Sequence, residues 1–109
     1  MFVGLVLLSS CDGNYQKVKV FGTVVSSVSQ KPVSNQLLNV TCWVYDTEIW
    51  ESRKVLKTIS TDERGNYEVL FDKGEAIDIE VSSSSFKDYE KSLTLTKSNN
   101  EINIKLQSK

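Results

Sequence analysis

Residues 61–81 read Thr61-Asp62-Glu63-Arg64-Gly65-Asn66-Tyr67-Glu68-Val69-Leu70-Phe71-Asp72-Lys73-Gly74-Glu75-Ala76-Ile77-Asp78-Ile79-Glu80-Val81, and their pattern decides the fold. The stretch opens on a turn. Asp62 is placed to accept hydrogen bonds from backbone N–H groups two and three residues on, and Gly65 takes positive φ without a steric penalty. Tyr67, Val69 and Phe71 then share one face of a strand, residues 72–75 form a second turn, and residues 76–81 alternate strictly. Two period-two runs separated by turn residues are half-buried β-strands.

The same period continues in both directions. Upstream, Val18, Val20, Gly22 and Val24 line one face of a strand, which ends in a polar loop at residues 26–33, where Pro32 bars continuation. A second strand covers residues 38–45, a charged loop covers 46–53, and a third strand covers 54–60. Downstream, the serines at 82–85 end the alternating run, a sixth strand covers about residues 89–96, and Ser98-Asn99-Asn100 turns into a last strand at 102–106. No stretch keeps a helical period over about ten residues. The expectation is an all-β fold, a seven-stranded antiparallel β-sandwich in Greek-key order.

Composition narrows the function. The chain has 109 residues, enough for one domain with a core, and its 13 basic and 14 acidic residues leave a net charge of −1. The lysines are scattered rather than gathered into a positive field, so nucleic acid is not an expected partner. Histidine is absent, which removes the commonest general base and the commonest metal ligand. The two cysteines, Cys11 and Cys42, are too few for a four-ligand Cys/His zinc site. Cys42 shares the apolar face of its strand with Val40 and Val44 and reads as a small core residue. No enzyme activity, metal or cofactor is expected.

The N-terminus carries a separate message. The apolar run Met1-Phe2-Val3-Gly4-Leu5-Val6-Leu7-Leu8 is too short to span a bilayer, which needs about 20 apolar residues. It has the form of a signal-peptide hydrophobic region, although no Lys or Arg opens it, as a late start or a trimmed record would leave it. Leu8-Ser9-Ser10-Cys11 resembles the lipobox of bacterial lipoproteins. That resemblance implies a signal peptide over 1–10, a diacylglyceryl group on the Cys11 sulfur, a tether over 11–16, and a folded domain over 17–109. The partner so implied is a membrane, and the implied location is the cell envelope, with the outer membrane or cell surface favoured over the inner membrane and Asp12, directly after Cys11, resembling the inner-membrane retention signal of enteric bacteria. The other reading of these residues is an apolar first strand with a free Cys11.

The order of the pieces resembles the carboxypeptidase regulatory-like family, whose fold is transthyretin-like, or prealbumin-like. The resemblance runs through Val20, Gly22 and Val24, then Lys31-Pro32-Val33 and Leu38-Asn39-Val40, and then Thr61-Asp62 with Gly65 and Tyr67. It continues through Ile77, Ile79, Val81, Ser85-Phe86 and residues 102–106. The family has Gly-Tyr or Gly-Phe where this chain has Ser85-Phe86, and a shorter hairpin than the one around Ile49 and Trp50. The resemblance implies a non-catalytic accessory module, as an analogy of fold and nothing stronger.

The hydroxyisourate hydrolases that share the transthyretin fold depend on histidines, which are missing here. Paired carboxylates (Asp62 with Glu63, Asp78 with Glu80) lie in a turn and on an open strand face. Asp62, Glu63 and Asn66 are too few oxygens to predict a calcium site. A lysine–asparagine isopeptide, known in related adhesin repeats, would involve Lys19, Asn103 and Glu80. All three fall on the polar sides of their strands, opposite the apolar residues, whereas that bond forms between buried partners.

The aromatic residues remain. Trp43 and Tyr45 face away from the core side of their strand, Trp50 lies in the charged loop beyond, and Phe21 points outward from the first strand. Flat outward rings suit sugars or a partner protein, so Trp43, Tyr45, Trp50 and Phe21 are the candidate ligand-binding residues, and Asp62 and Gly65 the structural turn. The competing reading has the 46–53 loop fold back and pack Trp50 on Trp43. The expected function is an accessory binding or presentation module of the envelope, for carbohydrate or a protein partner. The alternative is a structural spacer or assembly subunit that pairs through a strand edge.

Overall fold

Every second residue from Val18 to Val24 is buried, and the same holds from Leu38 to Val44, from Tyr67 to Phe71 and from Ile77 to Val81. Strands with one buried face must lay that face on another sheet. The computed structural model, which describes residues 14–109, has this architecture: two four-stranded sheets packed face to face as a β-sandwich. The strands are β1 (Tyr15–Ser26), β2 (Leu37–Asp46), β3 (Glu51–Ser60), β4 (Asn66–Gly74), β5 (Ala76–Val81), β6 (Tyr89–Thr94), β7 (Asn99–Glu101) and β8 (Ile104–Leu106). One sheet has the order β4-β1-β7 with β8 also on β1; the other has the order β3-β2-β5-β6. Cys11 and the 1–10 leader lie outside the described residues.

Three details differ from the sequence reading. The turn expected at Ser98-Asn99-Asn100 is largely strand: Asn99–Glu101 pair as β7, the chain then breaks and resumes as β8 only at Ile104, and both run parallel to β1, so the first sheet is mixed. The break falls at Ile102-Asn103, where side chains replace ladder bonds. The Tyr67 hydroxyl donates to the Ile102 carbonyl at 2.6 Å, and the Asn103 Oδ1 accepts from the Thr23 N–H at 3.0 Å. Gly22 permits this approach, since a Cβ there would sit 2.1 Å from the Ile102 oxygen.

Secondly, the segment read as a charged loop is mostly strand. β2 and β3 form one long hairpin whose ladder runs from Leu37↔Ser60 to Asp46↔Glu51, leaving only residues 47–50 as the turn. Charged side chains do not break a strand whose outer face is in water. Thirdly, β1 begins at Tyr15, inside the segment read as a tether, because Tyr15 and Gln16 pair with Gly74 and Lys73.

The turn at 62–65 is built on Asp62, whose Oδ1 accepts from the N–H groups two and four residues on, Arg64 at 2.9 Å and Asn66 at 2.8 Å. Gly65 sits at φ +77, and its carbonyl accepts from the Val24 N–H at 2.8 Å, tying this turn to β1. A Cβ at Gly65 would lie 2.6 Å from the Val24 oxygen.

The strands place their ends at two poles. One pole holds the start of β1, the β2–β3 turn and the one-residue corner at Glu75; the other holds the 26–33 loop, the 62–65 turn and the C-terminus, where Lys109 N–H reaches Ser85 O. The 12 residues of β1 separate the poles by about 36 Å at the usual strand rise.

Candidate functional site

The outer face of the β3-β2-β5-β6 sheet is ordered by register. Lys54, Trp43, Ala76 and Thr94 form one row across it, and Leu56, Thr41, Asp78 and Ser92 form the next. Trp43 therefore stands between a long cation on one side and the smallest side chain of the row on the other. Its indole Nε1–H donates to Asp78 Oδ2 at 2.7 Å, and the Lys54 ammonium lies 4.9 Å from the ring centroid. A charge-assisted bond from one strand and a cation–π contact from another hold the ring in a single orientation.

Ala76 leaves an open hollow of about 450 Å³ beside the ring, lined by Trp43, Ser52, Glu75, Asp78, Ser92 and Thr94 together with Leu93. Ser52 donates its hydroxyl to Glu75 Oε1 at 3.0 Å across the rim. The hollow thus combines one fixed aromatic wall with two carboxylates and three hydroxyl side chains. Such a surface can stack on a flat apolar ring face while accepting hydrogen bonds around it.

The other candidate residues lie elsewhere. Tyr45 is two residues beyond Trp43 on the same face, past the end of β5, and is partly buried. Its main chain has lost the neighbouring strand at that point, and the Asn14 carboxamide takes that strand's place. Asn14 Nδ2 donates to Tyr45 O at 2.8 Å, and Tyr45 N–H donates to Asn14 Oδ1 at 3.0 Å. Trp50 closes the β2–β3 turn, 75% exposed and with φ +56, and does not line the hollow. It does not fold back onto Trp43, because the continuous ladder carries it beyond the Asp46↔Glu51 pair. Phe21 lies on the outer face of the other sheet, so it and Trp43 belong to opposite sides of the molecule.

Phe21 borders a larger open depression of about 570 Å³ with Asp62, Glu68 and Glu101 on its walls. There Lys19 sits 5.2 Å from the ring centroid and pairs with Glu68 at 3.2 Å. Phe has no polar atom through which the sheet can fix the ring, as Asp78 fixes Trp43, so this depression is the weaker aromatic platform.

Asp78, Glu75, Ser52, Ser92 and Thr94 were not selected from the sequence. For Asp78, Ser92 and Thr94 the signal was present only as the outward phase of their strands, and Ser52 and Glu75 fell in segments read as loop and turn; that β5 lies beside β2, and β6 beside β5, is a fact of topology. Among the described residues no group of His, Cys, Asp or Glu is arranged to hold a metal ion. Cys42 is fully buried, and burial pushes its thiol up to about 11, against a smaller opposing pull from Lys57. Lys19 and Asn103 are engaged with Glu68 and Thr23 respectively.

No protein-family model matches this chain, and no curated protein matches it. Solved structures do. A 3-chlorocatechol 1,2-dioxygenase from Rhodococcus opacus 1CP matches at TM-score 0.70 and 9% identity, over 91% of this chain and 62% of the enzyme. A catechol 1,2-dioxygenase from Acinetobacter sp. ADP1 matches at TM-score 0.67 and 12% identity, over 90% of this chain and 54% of the enzyme. The C-terminal domain of the shaft pilin SpaA from Lactobacillus rhamnosus GG matches at TM-score 0.59 and 5% identity, over 85% of this chain and 98% of that domain. The chain spans little more than half the length of either dioxygenase. At these identities the likeness is one of fold alone: the chain is a β-sandwich of a kind that also occurs in dioxygenases and in a pilin domain.

Proposed function

We propose that this protein is a non-catalytic, lipid-tethered envelope module that binds carbohydrate in the hollow beside Trp43. The observation that carries the reading is the Trp43–Asp78 bond on an open sheet face: an indole held in place next to a small-residue position, with hydroxyls and carboxylates around the hollow. Sugars present alternating apolar faces and equatorial hydroxyls, which such a wall and rim match. A rigid platform also lowers the ordering cost of binding. Catalysis has no support in the residue set, which lacks histidine and keeps Cys42 protonated in the core. The lipobox resemblance at residues 8–11 supports the tether and the envelope location.

Strand-edge assembly has less in its favour. β3 is an edge strand, and Arg53 and Lys57 occupy its inward phase, opposite Val44 and Val40. Inward charges on an edge strand hinder the docking of another strand. The test is calorimetric titration with a panel of soluble envelope-type oligosaccharides, with W43A and D78N as variants and L70S as a remote control. At least one oligosaccharide is expected to bind, with W43A weakening it about tenfold or more, in line with about 1–3 kcal/mol for a stacked ring. D78N retains a hydrogen-bond acceptor for the indole and weakens binding less; L70S leaves it unchanged. Binding to none of the panel, or equal binding by W43A, would sink the carbohydrate reading.

A further inference from the structure

The chain leaves the described structure at one particular place. Asn14 is buried and clasped to the main chain of Tyr45 through two hydrogen bonds, at the pole where the β2–β3 hairpin ends. Cys11 precedes Asn14 by three residues, a length of chain that reaches about 11 Å at most. The hairpin projects past Tyr45 by Asp46 and the four-residue turn 47–50, and at its end stand Ile49, 55% exposed, and Trp50, 75% exposed. Two large, well-exposed apolar side chains, Ile49 and Trp50, therefore share this pole with the tether.

Trp50 is also held where its residue type is unfavourable. Its φ of +56 lies in the left-handed region that glycine or asparagine would occupy without penalty, at a cost of about 1 kcal/mol for a bulky side chain. The fold keeps an indole there, in water, where it neither covers core nor lines the hollow. Indole is the side chain with the strongest preference for the headgroup zone of a bilayer, where its ring is dehydrated while its N–H still finds oxygen acceptors. The flanking Asp46, Glu48 and Glu51 make the tip acidic, so attraction to anionic lipid plays no part.

We infer that the Ile49–Trp50 tip is a second membrane contact, seated in the headgroup zone of the bilayer that holds the lipid on Cys11. The inference rests on the tether reading above. Its consequence is orientation. One flexible anchor leaves a domain free to tumble, whereas an anchor plus an inserted tip about 10–20 Å away fixes the long axis, with the 26–33 loop and the C-terminus facing outward. The hollow beside Trp43 then opens sideways, three register pairs, or about 10 Å, back from the last pair before the tip.

Single-tryptophan chains test this, since the protein has two tryptophans. The full chain, as W43F or as W50F, is recovered from the membranes of an expressing bacterium and its mature mass is read. It is then placed in phosphatidylcholine–phosphatidylethanolamine vesicles with or without bromine on the upper acyl carbons. A mass increment of diacylglycerol on Cys11 supports the tether. Bromolipid is expected to quench Trp50 in the W43F chain about twofold, with a blue shift, and to leave Trp43 in the W50F chain unquenched. If Trp50 stays as red and as unquenched as it is without bromine, the tip proposal is overturned while the tether stands. If the mass shows no acyl group, the tether reading fails on its own. The chain is then coupled through Cys11 to a maleimide phospholipid, Cys42 being buried, and the same quenching decides the tip.

Discussion

At the scale of single residues, burial does most of the assigning. Cys42 was read as core because Val40 and Val44 share its phase, and it has no exposed surface in the folded chain. Burial raises its thiol from 9.0 to about 11. The sign of the linkage follows. Unfolded, the thiol ionises from about pH 9, while folded it stays protonated, so its contribution to stability is intact below pH 9 and drains away as pH rises toward 11. The buried phenol of Tyr67 and the half-buried phenol of Tyr89 are shifted upward for the same reason and push in the same direction. The urea midpoint should hold steady up to about pH 9 and then fall, with C42A removing part of the slope; a flat midpoint to about pH 10.5 would contradict this. At pH 8 the Cys42 thiol should resist alkylation until the chain is unfolded.

At the scale of elements, the long hairpin and the broken closing strand carry the lessons. A run of charges at 46–53 looks like a loop because polar residues dominate it, yet an edge strand with one face in water accepts them. The closing strand was read as continuous from Ile102, Ile104 and Leu106, which do share a buried face. Its break depends on Tyr67, 35 residues away, reaching the Ile102 carbonyl. Y67F would strand that carbonyl in the core and should cost about 1–3 kcal/mol in urea unfolding. N103A removes an acceptor at the surface, where water can replace it, and should cost about 1 kcal/mol or less. Equal losses would mean that the Tyr67 bond is not what holds the closing strand.

At the scale of the whole molecule, the strand order of the two sheets creates the functional geometry. β1 lies inside the first sheet, flanked by β4 on one side and by β7 and β8 on the other, while β2 and β5 are the interior strands of the second. Amide hydrogen exchange should therefore be slowest in β1, β2 and β5 and fastest in β6 and the 47–50 turn, since opening free energy tracks enclosure on both sides. Rapid exchange through the middle of β1 would be incompatible with this topology. The same arrangement separates the anchored pole from the exposed one and sets the Trp43 hollow on a flank between them.

What the sequence determined by itself was local and periodic: strand phase, the Asp62–Gly65 turn, the outward direction of Trp43, Tyr45 and Phe21, and the apolar faces that require a second sheet. Those properties depend on neighbours a few residues away, and period two records them directly. Tertiary structure alone decided which strands lie side by side. That choice put Asp78 under the Trp43 indole, sent Phe21 to the opposite face, carried Trp50 to the tip and set Asn14 against Tyr45. Strand pairing is selected by the summed burial of all the apolar faces at once, and no single segment carries that sum. The residues around the hollow became a candidate site only when the sheet brought them together.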